Sequence, residues 1–234
     1  MFHCYIDHLV VTAPTLECGA EFVIQSLGVE PQAGGEHPRM GTHNLLLRLG
    51  DSLYLEVIAA NPNAAKPQRP RWFSLDKQNA DSEPRLAAWV VRTDNVQATC
   101  AGISESLGEV EVMTRGSLQW RITVPTDGSQ PLGGVAPALI EWQAAEHPAL
   151  KMRNTGCSLL RLEAFHADEM RVGALFGILG LKQAVQVLTL SSSEDPYLLA
   201  HINTPNGVRT IGAPNRRLER TRESLSLPLN DVDV

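Results

Sequence analysis

Several histidines of this chain stand where they could carry acid–base chemistry. His8 lies in an apolar run typical of a strand, and His37 lies in the glycine-rich segment 34–44 together with Arg39 and Asn44. Because imidazole titrates near neutral pH, a histidine beside a ligand can donate or accept a proton. We therefore predict His37 as a catalytic residue, with Arg39 and Asn44 as substrate contacts. The alternative is a glycine-bent edge strand whose histidines face solvent.

Two carboxylates interrupt apolar stretches that otherwise favour buried strands. Glu56 follows Tyr54-Leu55, and Glu141 follows Leu139-Ile140. An unpaired carboxylate is costly to bury, so each needs a partner or water. They could line a wet cavity, or they could pair with an arginine: Arg48, Arg121 or Arg161.

An aromatic pair, Trp72-Phe73, follows a proline-rich stretch at 61–70. Such rings can form the wall of an apolar ligand pocket, and we predict a substrate contact at Trp72. The pair could equally anchor the preceding linker to the core.

One helical pattern recurs three times and indicates the elements that position these residues. After Pro14-Thr15 the apolar residues follow a one-face helical spacing. The same spacing returns twice, and apart from Ser104 and Asp168 the aligned positions are apolar. The three sets are Leu16, Ala20, Val23, Ile24 and Leu27; Val96, Cys100, Ile103, Ser104 and Leu107; Asp168, Val172, Leu175, Phe176 and Leu179.

Each helical pattern is preceded by one β-rich run and followed by two or three more, so each copy is predicted as strand–helix–strand–strand–strand. The predicted fold class is α+β. We place two modules at about 5–60 and 86–145 in a domain spanning 1–145, a third module at 155–212, and a C-terminal helix or tail at 213–234.

The sequence resembles the glyoxalase-like domain family of mostly bacterial proteins, in the vicinal oxygen chelate (glyoxalase I/extradiol dioxygenase) superfamily. The resemblance rests on the tandem βαβββ pattern and on four motifs: Asp7-His8-Leu9-Val10, Gly34-Gly35-Glu36-His37-Pro38, Gly41-Thr42-His43-Asn44 and Tyr54-Leu55-Glu56.

The resemblance implies a β-sheet cup built from two modules, with metal ligands on the first and last strand of each. Those positions correspond here to His8, Glu56 and Glu141, while Ala88 stands at the fourth position and cannot bind a metal. One imidazole and two carboxylates suit a single divalent ion such as Mn²⁺, Fe²⁺, Ni²⁺ or Zn²⁺. Glu141 is then also a candidate catalytic residue.

Three functions remain open from the sequence. The first is a metal-dependent lyase, isomerase or dioxygenase-like enzyme acting on a small molecule with adjacent oxygens. The second is a metal-free protein that binds or sequesters a small molecule in the same cup. The third is a structural protein whose cup is filled by side chains.

Composition and charge narrow the possible partners. The formal net charge is −6, and no dense basic run is present, which argues against nucleic acid as a partner. No nucleotide-binding motif, leader or membrane-length apolar stretch is visible, so we predict a cytoplasmic protein without a nucleotide cofactor. Because a third, unpaired module would leave an open sheet edge, we predict a homodimer, unless that module packs on the first cup.

Overall fold

A computed structural model describes residues 2–212, apart from positions 117 and 145. The predicted C-terminal helix or tail, 213–234, lies outside the described residues. The strands are β1 (Tyr5–Thr12), β2 (Gln32–His37), β3 (Thr42–Arg48), β4 (Tyr54–Ala60), β5 (Arg85–Arg92), β6 (Glu109–Arg115), β7 (Leu118–Val124), β8 (Ala138–Trp142), β9 (Ser158–His166), β10 (Val185–Thr189), β11 (Tyr197–Thr204) and β12 (Gly207–Ile211). The helices are α1 (Leu16–Leu27), α2 (Val96–Ala101) and α3 (Glu169–Ile178).

The first two modules form one curled eight-stranded sheet in the order β2-β3-β4-β1-β5-β8-β7-β6. In each module the first strand pairs in parallel with the last, β1 with β4 and β5 with β8. The antiparallel pair β1–β5 joins the two modules. The predicted α+β class and the β-sheet cup of tandem modules are confirmed.

Helix ends follow local chemistry. The Thr15 side chain accepts a hydrogen bond from the backbone N–H of Cys18 at the start of α1, and Gly28 ends the helix in a left-handed conformation with φ of 71°. The second helix stops at Ala101, earlier than the apolar spacing to Leu107 suggests.

The third module has the predicted element order but a different strand order. Its sheet runs β10-β9-β11-β12, so its first strand, β9, is central and has β10 and β11 on either side. In the first module, by contrast, β1 and β4 are neighbours and β2 lies at the edge. The third module is therefore not a copy of the other two at the level of strand pairing.

Two apolar cores lie on opposite faces of the eight-stranded sheet. The outer core joins that sheet to α1, α3 and the third module's sheet, with Trp89 packed edge-to-face on Phe176. The inner core fills much of the cup. Within the described residues, no helix is both long and apolar enough to cross a membrane. The inner core consists of Val10, Met40, Ile58, Trp72, Phe73, Leu75, Ala88, Val90, Met113, Trp120, Ile122, Val124 and Ile140.

Candidate functional site

A bulge in β1 turns two adjacent polar side chains toward each other. The pairing of β1 with β5 passes from Ile6–Val91 to His8–Val90, which leaves Asp7 as an extra residue. Strict strand alternation predicts Asp7 and His8 on opposite faces. Instead, His8 Nδ1 lies 2.7 Å from Asp7 Oδ1, and both side chains are buried.

Asp7 accepts hydrogen bonds from three side chains. Besides His8, Trp142 Nε1 donates at 2.9 Å and His147 Nε2 lies at 2.9 Å. The backbone N–H of Ala149 donates to His147 Nδ1, which leaves the proton of the neutral ring on Nε2, facing Asp7. Burial alone would raise the pKa of Asp7, but the hydrogen bonds from His147 and His8 hold it well below its ordinary value. Asp7 is therefore a buried, ionised anchor for His8.

The other nitrogen of His8 faces a carboxylate. His8 Nε2 lies 3.7 Å from Glu56 Oε2, and the imidazole stacks on the Tyr54 ring with centroids 4.6 Å apart. The second Glu56 oxygen accepts a hydrogen bond from Asn44 Nδ2 at 2.5 Å. His8 and Glu56 therefore form an acid–base pair in which Asp7 orients His8 and Asn44 orients Glu56.

A glycine explains how Asn44 reaches its position. The Asn44 side-chain oxygen accepts a hydrogen bond from the Gly35 N–H at 2.7 Å. A Cβ on the preceding Gly34 would lie 2.1 Å from that oxygen, so only glycine allows the approach. The glycine-rich segment forms part of an edge strand, as the alternative interpretation held, but His37 is buried and does not face solvent.

His37 is buried among aromatic rings. Its Nδ1 lies 3.1 Å from Thr42 Oγ1, and its ring meets Trp72 edge-on with centroids 5.1 Å apart. Burial, with a smaller contribution from Arg115, lowers the pKa of His37 from 6.5 to about 4. His37 is accordingly neutral at physiological pH.

These residues line one cavity of about 30 Å³, large enough for one or two water molecules. Apolar side chains of the inner core occupy the cup around this cavity and around a second one of about 20 Å³. A cover segment, Trp72–Lys77, contributes two rings to the wall. The lining residues are His8, His37, Asn44, Tyr54, Glu56, Trp72, Phe73, Arg115, Trp120, Ile122, Ile140 and Trp142.

Glu141 does not reach this cavity. Its neighbours Ile140 and Trp142 line the cavity, so strand alternation turns Glu141 to the other face of the sheet. There its carboxylate accepts hydrogen bonds from Arg121 Nη1 at 2.9 Å and from the Val96 N–H at 3.0 Å, at the start of α2. The sequence correspondence with Glu56 is one residue out of register, and a shift of one residue changes the face.

Arg39 also lies away from the cavity. Its guanidinium donates to the Val112 carbonyl at 2.9 Å and pairs with Glu111, which ties the Pro38–Gly41 turn to β6. Its predicted substrate contact is therefore not supported by its position.

The donor set does not fit the predicted divalent metal. Of the three predicted ligands, His8 and Glu56 face each other, whereas Glu141 is on the far face. Both Asp7 oxygens already accept hydrogen bonds, and the inner wall at Ala88 and Ile140 carries no donor atom. Across residues 2–212, as far as they are described, no group of three or more His, Cys, Asp and Glu side chains is arranged to hold a metal ion.

Three residues of the site were missed or misjudged from the sequence. His147, which shares Asp7 with His8, has no partner pattern in the sequence. Asp7 lies in a sequence motif, but strand alternation places it on the face opposite His8, and nothing in the sequence marks the bulge that turns it. Arg115 lines the cavity from the end of β6, and it shares no motif with the other site residues.

Fold and site together define a two-module β-sheet cup of the vicinal oxygen chelate type. A profile of the glyoxalase-like domain family matches residues 6–176, which is more than half of the chain. The chain therefore belongs to this family within the vicinal oxygen chelate superfamily, as the sequence motifs predict. No curated protein matches the sequence.

Solved structures share this fold at low sequence identity. A hypothetical protein from Staphylococcus aureus is 13% identical, with a TM-score of 0.54 over 89% of this chain and 84% of its own. A variant of the Streptomyces coelicolor methylmalonyl-CoA epimerase, in complex with 2-nitronate-propionyl-CoA, is 21% identical, with a TM-score of 0.42 over 62% of this chain and all of its own. The Mycobacterium tuberculosis methylmalonyl-CoA epimerase is 15% identical, with a TM-score of 0.36 over 58% of this chain and 85% of its own.

Proposed function

We propose that the cup binds a small molecule and that His8 and Glu56 move a proton to and from it, as in a lyase or an isomerase. The observation that carries the proposal is the pair itself: His8 Nε2 and Glu56 Oε2 are 3.7 Å apart, buried, and exposed to the same cavity. Paired proton-transfer groups of this kind accelerate reactions by roughly 10²–10⁴-fold. Of the reaction types predicted from the sequence, isomerisation by removal and return of a proton needs only such transfers, whereas a lyase combines them with the departure of a leaving group from the substrate.

Asp7 gives His8 a defined role in this proposal. With the Nδ1–H of His8 directed at Asp7, the neutral ring keeps its lone pair on Nε2, which faces the cavity. A C–H or O–H group of a ligand beside Nε2 would meet the base on one side and the Glu56 carboxylate on the other. Asn44 holds Glu56 in this position.

Hydrogen–deuterium exchange tests the proposal without knowledge of the natural substrate. Pyruvate and hydroxyacetone, each with an acidic C–H, are incubated with the protein in D₂O and followed by ¹H NMR. We expect exchange above the spontaneous rate, reduced about 100-fold or more by His8→Gln. The matched control is His3→Gln, at an exposed position outside the cup, which should keep the wild-type rate. A wild-type rate equal to the spontaneous one for both probes, or full activity in His8→Gln, would contradict the proposal.

A second candidate function is metal-free binding or sequestration. It is favoured by the aromatic walls of the cavity and by the apolar filling of the cup. Tight binding of an aromatic compound with neither exchange nor turnover would support it over the enzyme.

The predicted homodimer and cytoplasmic location remain predictions. The third module packs on the outer face of the eight-stranded sheet. Such packing was the alternative to dimerisation as a way of covering the third module. Light scattering of the purified protein measures the oligomeric state directly.

A further inference from the structure

Arg115 lies beside the acid–base pair and has no carboxylate partner within the part of the chain that the structure describes. Among the described residues, seven other arginines form ion pairs with carboxylates outside the cavity. Arg115 is partly buried and lines the cavity, yet among the described residues it has no ion pair and no hydrogen bond. The seven paired arginines are Arg39, Arg48, Arg69, Arg71, Arg121, Arg161 and Arg171.

The position of Arg115 follows from the curl of the sheet. It ends β6, one edge of the eight-stranded sheet, and reaches toward Gly35 in β2, the opposite edge. A Cβ on Gly35 would lie 3.0 Å from Arg115 Cδ, so the guanidinium stem lies directly against the glycine backbone. The Arg115 charge also reaches the cavity, where it adds to the effect of burial in lowering the pKa of His37.

A second polar group of the cavity wall lacks a partner. Trp72 is 5% exposed and its ring lines the same cavity, but its indole Nε1 has no hydrogen-bond acceptor among the described residues. A buried N–H without an acceptor is costly, and such groups are rare unless a ligand or water completes them. By contrast, the indole N–H of Trp142, which also lines the cavity, donates a hydrogen bond to Asp7.

We propose that Arg115 and the Trp72 indole N–H form an anion subsite that binds the carboxylate of a short-chain organic acid. A planar guanidinium without a competing carboxylate offers paired N–H donors to a carboxylate ligand. The small free volume limits the remainder of the ligand to a few heavy atoms beside His8 and Glu56. This inference names the substrate class of the acid–base site and rests on the proposed function only for the reaction, not for binding.

Binding of acetate and pyruvate tests the subsite directly. Dissociation constants are measured by ligand-observed NMR for both carboxylates and for two neutral analogues, acetamide and hydroxyacetone. We expect Arg115→Gln to weaken the carboxylates at least tenfold and to leave hydroxyacetone within twofold. Trp72→Phe should weaken the carboxylates severalfold, and thermal unfolding shows whether each variant is folded.

Arg121→Gln is the matched control, because Arg121 pairs with Glu141 on the opposite face of the sheet. It should bind all four probes as the wild type does. Equal affinity for acetate and acetamide in the wild type, or unchanged carboxylate binding in folded Arg115→Gln, would overturn the inference.

The outcomes separate this inference from the proposed function. Carboxylate binding that depends on Arg115, without His8-dependent exchange, supports the subsite and refutes the acid–base role. Conversely, hydroxyacetone exchange that depends on His8, together with pyruvate binding that is unchanged in Arg115→Gln, supports the acid–base role and refutes the subsite.

Discussion

Several ionisable side chains are buried in the cup. Asp7, His8, His37 and Glu56 are all at most 7% exposed, and ionisable groups are seldom buried without a purpose. Three of them have charge or hydrogen-bond partners that compensate for burial. His37 instead avoids the cost by remaining neutral, with a hydroxyl as its polar partner.

The neutral His37 makes the folded state sensitive to acid. Burial lowers its pKa to about 4, whereas in the unfolded chain it returns to about 6.5. Between these values the unfolded state binds more protons, so stability falls as the pH decreases. We expect this residue alone to remove about 2 kcal/mol between pH 7.5 and 4.5.

Urea unfolding at several pH values measures this effect. His37→Gln should lose part of the wild-type pH dependence between pH 7.5 and 4.5. The acid sensitivity that Asp7 confers lies lower, below the ordinary carboxyl range, and should survive in the variant. If the free energy of unfolding of His37→Gln depends on pH between 7.5 and 4.5 as strongly as that of the wild type, His37 is not a neutral, buried group.

Sequence motifs account for about half of the candidate site. His8, His37, Asn44, Glu56 and Trp72 were selected from the sequence, and the structure brings all five to one cavity. Asp7 depends on a bulge, and Arg115 depends on the meeting of two sheet edges far apart in sequence. Such features arise from tertiary structure, so a residue pattern along one strand does not contain them.

At the level of elements, the cover segment is held in a strained conformation. Phe73 and Ser74 are consecutive non-glycine residues with φ of 54° and 55°, in the left-handed region. The Ser74 N–H donates to the Gly128 carbonyl at 2.8 Å, which fixes the segment across the cup. The segment also shapes the cavity, because Trp72 and Phe73 form part of its wall.

Replacement of Ser74 by glycine should release part of this strain. The left-handed conformation costs an L residue about 1–2 kcal/mol, and the added freedom of glycine in the unfolded chain returns about 0.5–1 kcal/mol. We expect Ser74→Gly to stabilise the protein by about 0.5–1 kcal/mol in thermal unfolding. Ser52→Gly, at an exposed turn position with no positive φ, should be neutral or destabilising. Similar losses of stability in Ser74→Gly and Ser52→Gly would argue against strain at Ser74.

Helix and strand order was predictable from periodicity, whereas strand pairing was not. The repeated spacing identified a helix in each module, and the glycine-rich segment of the first module lies on an edge strand. In the third module the same element order gives a different sheet, because β9 pairs in parallel with β10, the strand after its helix, whereas β1 pairs in parallel with β4, the last strand of its module. The register of β8 was not predictable either. A displacement of one residue places Ile140 at the cavity instead of Glu141.

In the molecule as a whole, the third module shares one apolar core with the cup. Its sheet and α3 share the outer core with strands of both other modules, and the Leu86 N–H donates to the Gly212 carbonyl. The domain boundary near 150 that the sequence predicts is thus crossed by a continuous apolar core.

Removing one ring from this core should destabilise the entire chain. Phe176 is fully buried, and we expect Phe176→Ala to cost about 3–5 kcal/mol in urea unfolding. Met170→Ala, on the same helix at a position that is 85% exposed, should change the stability by less than about 0.5 kcal/mol. Circular dichroism and methyl NMR signals of all three modules should follow one transition. Earlier loss of the third module alone would indicate two folding units.

The placement of the tryptophans gives the protein two optical reporters. Trp72, Trp120 and Trp142 line the cavity, whereas Trp89 is buried in the outer core against Phe176. Indole emission therefore comes from two environments on opposite faces of one sheet. Quenching at the three cavity rings reports an arriving ligand, and a red shift of Trp89 reports separation of the third module, so occupancy and integrity can be followed in one unlabelled sample.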